Sequence, residues 1–287
     1  MLIETLRAGG PVITDGAWGT QLQEQGVAPG ACPDEWNLSH PDRVETVPRA
    51  YVEAGSQIVL TNTFRANRVA LAGYGLEQQA VAINRAGVEI SRLAARDQVK
   101  VFASIGPSGK MLVAGEVTED QLREAFGEQA DALAGAGADA IVIETMAELE
   151  EAELALGAAK ATDLPVVACV TFDSGPDNDR TMMGVTPEQA VARLEAAGAD
   201  VVGANCGQGI EGYVGICRRM HAVTDRPIWI KANAGIPEVV GGQVVYNTTP
   251  AEFASYARDL VDAGARFIGG CCGTGPEFIR ALRDALA

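Results

Sequence analysis

A single (β/α)8 barrel of the α/β class is the fold this sequence predicts, and three observations predict it. A unit recurs in which a helix-like stretch ends at Ala-Gly and an apolar run follows: YVEAGSQIVLTNT, ALAGAGADAIVIET, RLEAAGADVVGANC and LVDAGARFIGGCC. The apolar runs are short and do not alternate with polar residues, as expected of strands covered on both faces. Eight such runs alternate with helix-like stretches along the 287 residues, which is the order a barrel of parallel strands requires.

In chain order the strands are expected at VITDGA (12–17), IVLTNT (58–63), VFASIGP (101–107), AIVIETM (140–146), VVACVTF (166–172), VVGANCG (201–207), IWIKANA (228–234) and FIGGCCG (267–273). Stretches such as PDRVETVPRAYVEAG, AVAINRAGVEISRLAAR, TEDQLREAFGEQADALAGAG, ELEEAELALGAAKAT, TPEQAVARLEAAG and PAEFASYARDLVDAG read as helices, and Gly55, Gly137, Gly198 and Gly264 stand where a helix should stop. DSGPDNDR (173–180) and GIPEVVGGQVVYN (235–247) read as longer loops after the fifth and seventh strands, on the side of a barrel where loops shape an active site. A doubly wound open sheet is the structural rival, but no strand leads into G-x-G-x-x-G. SIGPSGKM (104–111) has Ser104 and Met111 where a phosphate loop needs glycine and a hydroxyl residue. No linker or composition shift divides the chain, so residues 1–287 are expected to form one domain.

Lys and Arg total 22 against 38 Asp and Glu, a formal charge of −16 with a sequence pI near 4.5. Such a surface repels phosphate backbones and anionic membranes, so neither nucleic acid nor membrane is an expected partner. The first residues lack a basic segment followed by an apolar one, and no run approaches the roughly 18 apolar residues of a membrane helix. A cytoplasmic location is expected. The six cysteines (Cys32, Cys169, Cys206, Cys217, Cys271 and Cys272) are too sparse for a disulfide scaffold, and a reducing compartment leaves them as thiols.

A strand buried between barrel interior and helices should be apolar throughout, yet nearly every strand here ends on polar residues. They are Asp15, Thr61 with Asn62, Ser104, Glu144 with Thr145, Thr171, Asn205 with Cys206, Asn233, and Cys271 with Cys272. In a barrel these ends converge on one rim. Two carboxylates and three thiols gathered there call for a ligand to satisfy them.

The adjacent pair Cys271–Cys272 has three readings: buried small hydrophobes, a vicinal disulfide, or two ligands of one metal. Cys206 favours the third, because its strand end shares their rim and glycine flanks the thiols in both segments. Neighbours on a regular strand face opposite ways, so the backbone must bend for both to reach one point, and Gly269, Gly270 and Gly273 make that bend sterically accessible. Three thiolates suit Zn2+ and leave its fourth position open, the mark of a catalytic site. A substrate thiol is the natural fourth ligand, since coordination would hold it as the nucleophilic thiolate. Cys169 reads as core, Cys217 as helical and Cys32 as a loop residue. His40 and His221, the two histidines, lie far from strand ends and offer neither a hydrolase base nor zinc ligands.

DGAWGTQLQ, TNTF, SIGPSG, ETM, GANCG, KANAG and GGCCGT, in this order from residue 15 to 274, resemble the homocysteine S-methyltransferase family. TNTF, IGPSG and NAG look closest to the homocysteine-binding barrel of cobalamin-dependent methionine synthase. The resemblance implies a zinc barrel in which Cys206, Cys271 and Cys272 hold the metal and homocysteine adds its sulfur. It implies further that Asp15 and Glu144 receive the substrate ammonium and that Asn233 adds a polar contact. Ser104 and Thr61 are weaker candidates of the same rim, as local hydrogen bonders.

Methionine synthases of this family carry folate, cobalamin and activation modules, whereas this sequence ends at Ala287, so the methyl group is expected from outside the chain. A methylcorrinoid such as methylcobalamin, carried by a separate protein docking over the barrel mouth, is the favoured donor. S-methylmethionine and betaine are the alternatives, for which Trp18, Trp36 and Phe64 could form an aromatic lining. Two rival readings stay open at this point: a zinc hydrolase or lyase with Glu144 as its base, and a binding subunit without catalysis.

Overall fold

Runs of Val, Ile and Ala pair in parallel to form eight strands: β1 (Val12–Ile13), β2 (Ile58–Val59), β3 (Lys100–Ile105), β4 (Ala140–Met146), β5 (Val166–Val170), β6 (Val201–Gly209), β7 (Ile228–Asn233) and β8 (Ala265–Gly270). The computed structural model describes residues 2–240 and 243–287. Sheet order is β1-β8-β7-β6-β5-β4-β3-β2, a nearly closed (β/α)8 barrel, as the sequence predicts.

β1 and β2 are much shorter than the runs that announce them, because side chains replace the ladder where they meet. The Gln57 N–H donates to Ile13 O at 2.8 Å, the Ile13 N–H donates to Gln57 Oε1 at 2.9 Å, and the Leu60 N–H donates to Asp15 Oδ2 at 2.7 Å. These bonds satisfy the edge groups of both strands and close the seam.

A helix follows each strand. Thr118, Thr186 and Thr249 open theirs with reciprocal capping boxes to Gln121, Gln189 and Glu252. Gly55, Gly137, Gly198 and Gly264 end theirs at φ of 105, 92, 102 and 107°, the left-handed conformation expected of them. The PAEFASYARDLVDAG helix departs from expectation: it breaks at Tyr256 into Pro250–Ser255 and Ala257–Asp262. No helix among the described residues is long and apolar enough to cross a membrane.

Inside the barrel, Trp229 stacks between Phe102 and Phe267, with ring centroids 6.0 and 5.4 Å away. Val12, Ile58, Val142, Val167 and Cys169 pack into the same cluster, and Ile3, on the opening helix Leu2–Ala8, joins it. A filled interior leaves the carboxyl rim as the place for chemistry. Of the two long loops, 173–180 is pinned by a bridge between Ser174 and Arg180, and 235–247 forms an antiparallel hairpin of Glu238–Val240 with Gln243–Val245. Gly241 and Gly242 of that loop lie outside the described residues.

Candidate functional site

The ends of β6 and β8 bring Cys206, Cys271 and Cys272 together, with their sulfurs all within 4.8 Å of one another and the Cys206 and Cys272 sulfurs 3.9 Å apart. Backbone distortion does this. β6 leaves register between Asn205 and Gly209, and Cys206 itself adopts φ of 63°, a left-handed conformation unfavourable for a side chain with a Cβ. Tyr213 donates to the Cys206 carbonyl at 2.7 Å and holds the bulge. On β8 the chain turns at Gly273, φ 79°, with the Thr274 N–H donating back to Cys271 O at 3.1 Å. Gly269 and Gly270 do not supply this bend, contrary to expectation: a Cβ on them would strike Thr14 and Thr274, so they are needed for close approach.

The three sulfurs share charge. Hydrogen bonds from Cys271 and then Cys272 hold the Cys206 thiol down to about 3, and the same bonds push Cys271 well up and Cys272 up to about 12. Asn233 accepts from the Cys272 N–H at 3.1 Å and also hydrogen-bonds Cys206, so it steadies the thiols from β7. Tyr246, past the hairpin, bonds to Cys272; burial and then that neighbouring sulfur push its hydroxyl upward.

Beside the thiols stands Glu144, 8 % exposed. Its Oε1 accepts from Ser104 Oγ at 2.5 Å, and Oε2 has a long contact of 3.4 Å from Asn205 Nδ2. Burial raises its pKa against the opposing pull of Lys231 and Ser104. Thr61 accepts from the Ser104 N–H at 3.0 Å and bonds Thr63, a local role as expected.

Asp15 is fully buried and already engaged. Lys231 Nζ lies 2.5 Å from Oδ1, while Trp18 Nε1 and the Leu60 N–H donate to Oδ2 at 2.8 and 2.7 Å. Of the three aromatic residues that could line the mouth, Trp36 stacks on His40 with Arg43 over its ring, Phe64 lies against Gly106, and Trp18 donates to Asp15. Asn62 turns away to Pro33 and Asn37. Cys32, Cys169 and Cys217 are buried away from the cluster. Lys231 and Asn205 are the residues whose roles the sequence left unread; a lysine directly after the apolar run IWI was the available signal.

The homocysteine S-methyltransferase family pattern matches residues 12–286. The chain belongs to the homocysteine S-methyltransferase family. It is 31 % identical over 305 residues to methionine synthase from Mycobacterium leprae, covering all of this chain and 25 % of that protein. It is 32 % identical over 317 residues to betaine–homocysteine S-methyltransferase 1 from Danio rerio, covering all of this chain and 75 % of that one. The chain thus spans about a quarter of the length of the methionine synthases it matches, since the Mycobacterium tuberculosis protein is covered to 24 %. Among solved structures, the metallated form of the homocysteine methyltransferase MmuM from Escherichia coli superposes with a TM-score of 0.82 at 25 % identity, covering 99 % of both chains. Near-equal identity to methionine synthase and to a relative named for betaine leaves the donor to chemistry rather than to likeness.

Proposed function

We propose that residues 1–287 form one homocysteine-binding zinc barrel domain that transfers a methyl group to the sulfur of homocysteine, giving methionine, in the cytoplasm. The convergence of Cys206, Cys271 and Cys272 beside Glu144 carries this reading. Three thiols free of disulfides and gathered within reach of one point fit a borderline-soft divalent metal and leave its remaining position to a ligand from outside. Zinc held by these cysteines would supply deprotonation of the substrate thiol at neutral pH.

The other residues position the substrate. Glu144 receives the ammonium through Oε2, Ser104 fixes the carboxylate from the other side, and Thr61 fixes Ser104. Asn233 holds the Cys272 backbone and borders the same space, and Asp15 acts on the substrate through its field. With one end of the amino acid held, the sulfur as thiolate attacks the donor's methyl carbon in line. A carbon–sulfur bond forms, and the bond between methyl and donor breaks with its electron pair leaving on the donor. We favour a methylcorrinoid, methylcobalamin in its simplest form, supplied in trans by a separate protein; S-methylmethionine and betaine are the alternative donors.

A donor panel tests this. Zinc-loaded protein is offered homocysteine with methylcobalamin, S-methylmethionine, betaine or S-adenosylmethionine, and methionine is measured. Methionine from methylcobalamin is the expected result, and methionine from S-methylmethionine or betaine alone would replace the donor. Failure with every donor, together with failure to bind homocysteine, would overturn the function.

A further inference from the structure

Each of the three thiols has a neutral side chain bonded to its sulfur. Asn205 Nδ2 donates to Cys271 Sγ at 3.8 Å, Asn233 bonds Cys206, and Tyr246 bonds Cys272. Asn205 also bonds Thr145 and Asn233 also holds the Cys272 backbone, whereas Tyr246 reaches the cluster from just past the hairpin strand Gln243–Val245. Two sets of contacts seat it there. The Thr248 N–H donates to Ala234 O at 3.1 Å, and the Ala234 N–H donates to Cys272 O at 2.9 Å, so the segment after the hairpin is tied through the end of β7 to the turn after β8. The ring itself lies against Gly273, where an added Cβ would come to 2.4 Å from Tyr246 Cγ.

A cysteine bound to metal is a thiolate, which only accepts, so in the loaded site the phenol O–H is the donor. Three thiolates overbalance a divalent cation by one charge, and the thiolate of homocysteine makes the excess two. In a partly buried site that excess is unfavourable unless outer donors spread it. We propose that Tyr246 is a positioning residue of the metal site: its hydroxyl, brought to Cys272 by the ring's seat on Gly273, holds that sulfur and draws off charge that would otherwise oppose a fourth thiolate. The inference rests on the zinc and homocysteine reading above. Without the hydroxyl, the site holds its metal less tightly and homocysteine less tightly still.

The test compares wild type, Tyr246→Phe and Tyr246→Leu. Phe keeps a ring on Gly273 and removes the hydroxyl alone, while Leu removes both. Zinc affinity is measured by competition with a chromophoric chelator, and binding of L-homocysteine to the zinc-loaded proteins by calorimetry. Cobalt-loaded proteins give the thiolate-to-metal charge-transfer band. Tyr246→Phe should bind zinc about tenfold less tightly and, once loaded, homocysteine at least roughly threefold less tightly. Its cobalt band should move to longer wavelength, because a sulfur stripped of its donor is more electron-rich. A ring that serves packing alone gives a different division, with Phe matching wild type in all three measurements and only Leu impaired. That result overturns the proposal, as does a zinc-loaded Phe variant with unchanged homocysteine affinity. A metal-free Phe variant that does not fold would make the hydroxyl a structural group and overturns it too. A wild type that takes up no zinc overturns the functional reading and this proposal together, whereas a zinc-loaded wild type matched by Phe overturns the proposal alone.

Discussion

Asn205 clasps Thr145 by two hydrogen bonds: its Oδ1 accepts from the Thr145 N–H at 2.7 Å, and its Nδ2 donates to Thr145 Oγ1 at 2.8 Å. Thr145 and Cys206 are both in the left-handed region at φ 63°, and both β4 and β6 leave register at these residues. One side chain therefore stabilises the two distortions that aim Glu144 and Cys206 at the same space.

Asn205→Ala should loosen both bulges, with a stability loss of roughly 1–3 kcal/mol for the buried donors and acceptors left unpaired. Turnover should fall at least roughly tenfold while metal content, set by the cysteines, stays at the wild-type level. Metal analysis beside steady-state kinetics checks it; loss of metal, or full activity, would show that the clasp does not aim the site.

Asp34, in the short 3-10 turn Pro33–Glu35 that follows the helix after β1, gives a pH dependence. Burial pushes its carboxyl from the ordinary 3.8 up to about 6, although the Arg65 N–H donates to it at 3.0 Å. The folded chain thus holds more protons than the unfolded one between those values, so this group's contribution to stability falls as pH rises through them. The gap between 3.8 and about 6 corresponds to roughly 3 kcal/mol. Asp34→Asn keeps an acceptor for Arg65 and should remove that fall. Urea unfolding of both proteins between pH 4 and 7 should give diverging curves, and parallel curves would refute the assignment.

Metal-free protein under mild oxidation should form a Cys206–Cys272 disulfide rather than a vicinal Cys271–Cys272 one. The first pair has its sulfurs at 3.9 Å and only the backbone of two separate strands to adjust. Peptide mapping by mass spectrometry decides between them, and a dominant vicinal bridge would mean the β8 end is more pliable than its hydrogen bonds to Ala232 and Thr274 imply.

The barrel and the thiol cluster were legible because polar residues at strand ends stand out against apolar runs, as in AIVIETM and VVGANCG. Other features were not. β1 and β2 stop early because Asp15 and Gln57 side chains take over backbone pairing, which no periodicity records. Gly269 and Gly270 look like hinges in sequence, but their role is contact, and the strained turn falls on Cys206, a residue with no local signal for it. Lys231 matters through a partner 216 positions away, a pairing that appears only when the barrel closes.

The central claim is that Cys206, Cys271 and Cys272 hold one zinc whose open position takes the sulfur of homocysteine. Zinc X-ray absorption, with and without homocysteine, tests it most directly. The expected result is about one zinc per chain with three sulfur neighbours and a lighter atom, becoming four sulfurs when homocysteine is added. A protein that binds no zinc, or one whose lighter neighbour survives saturation with homocysteine, would contradict it.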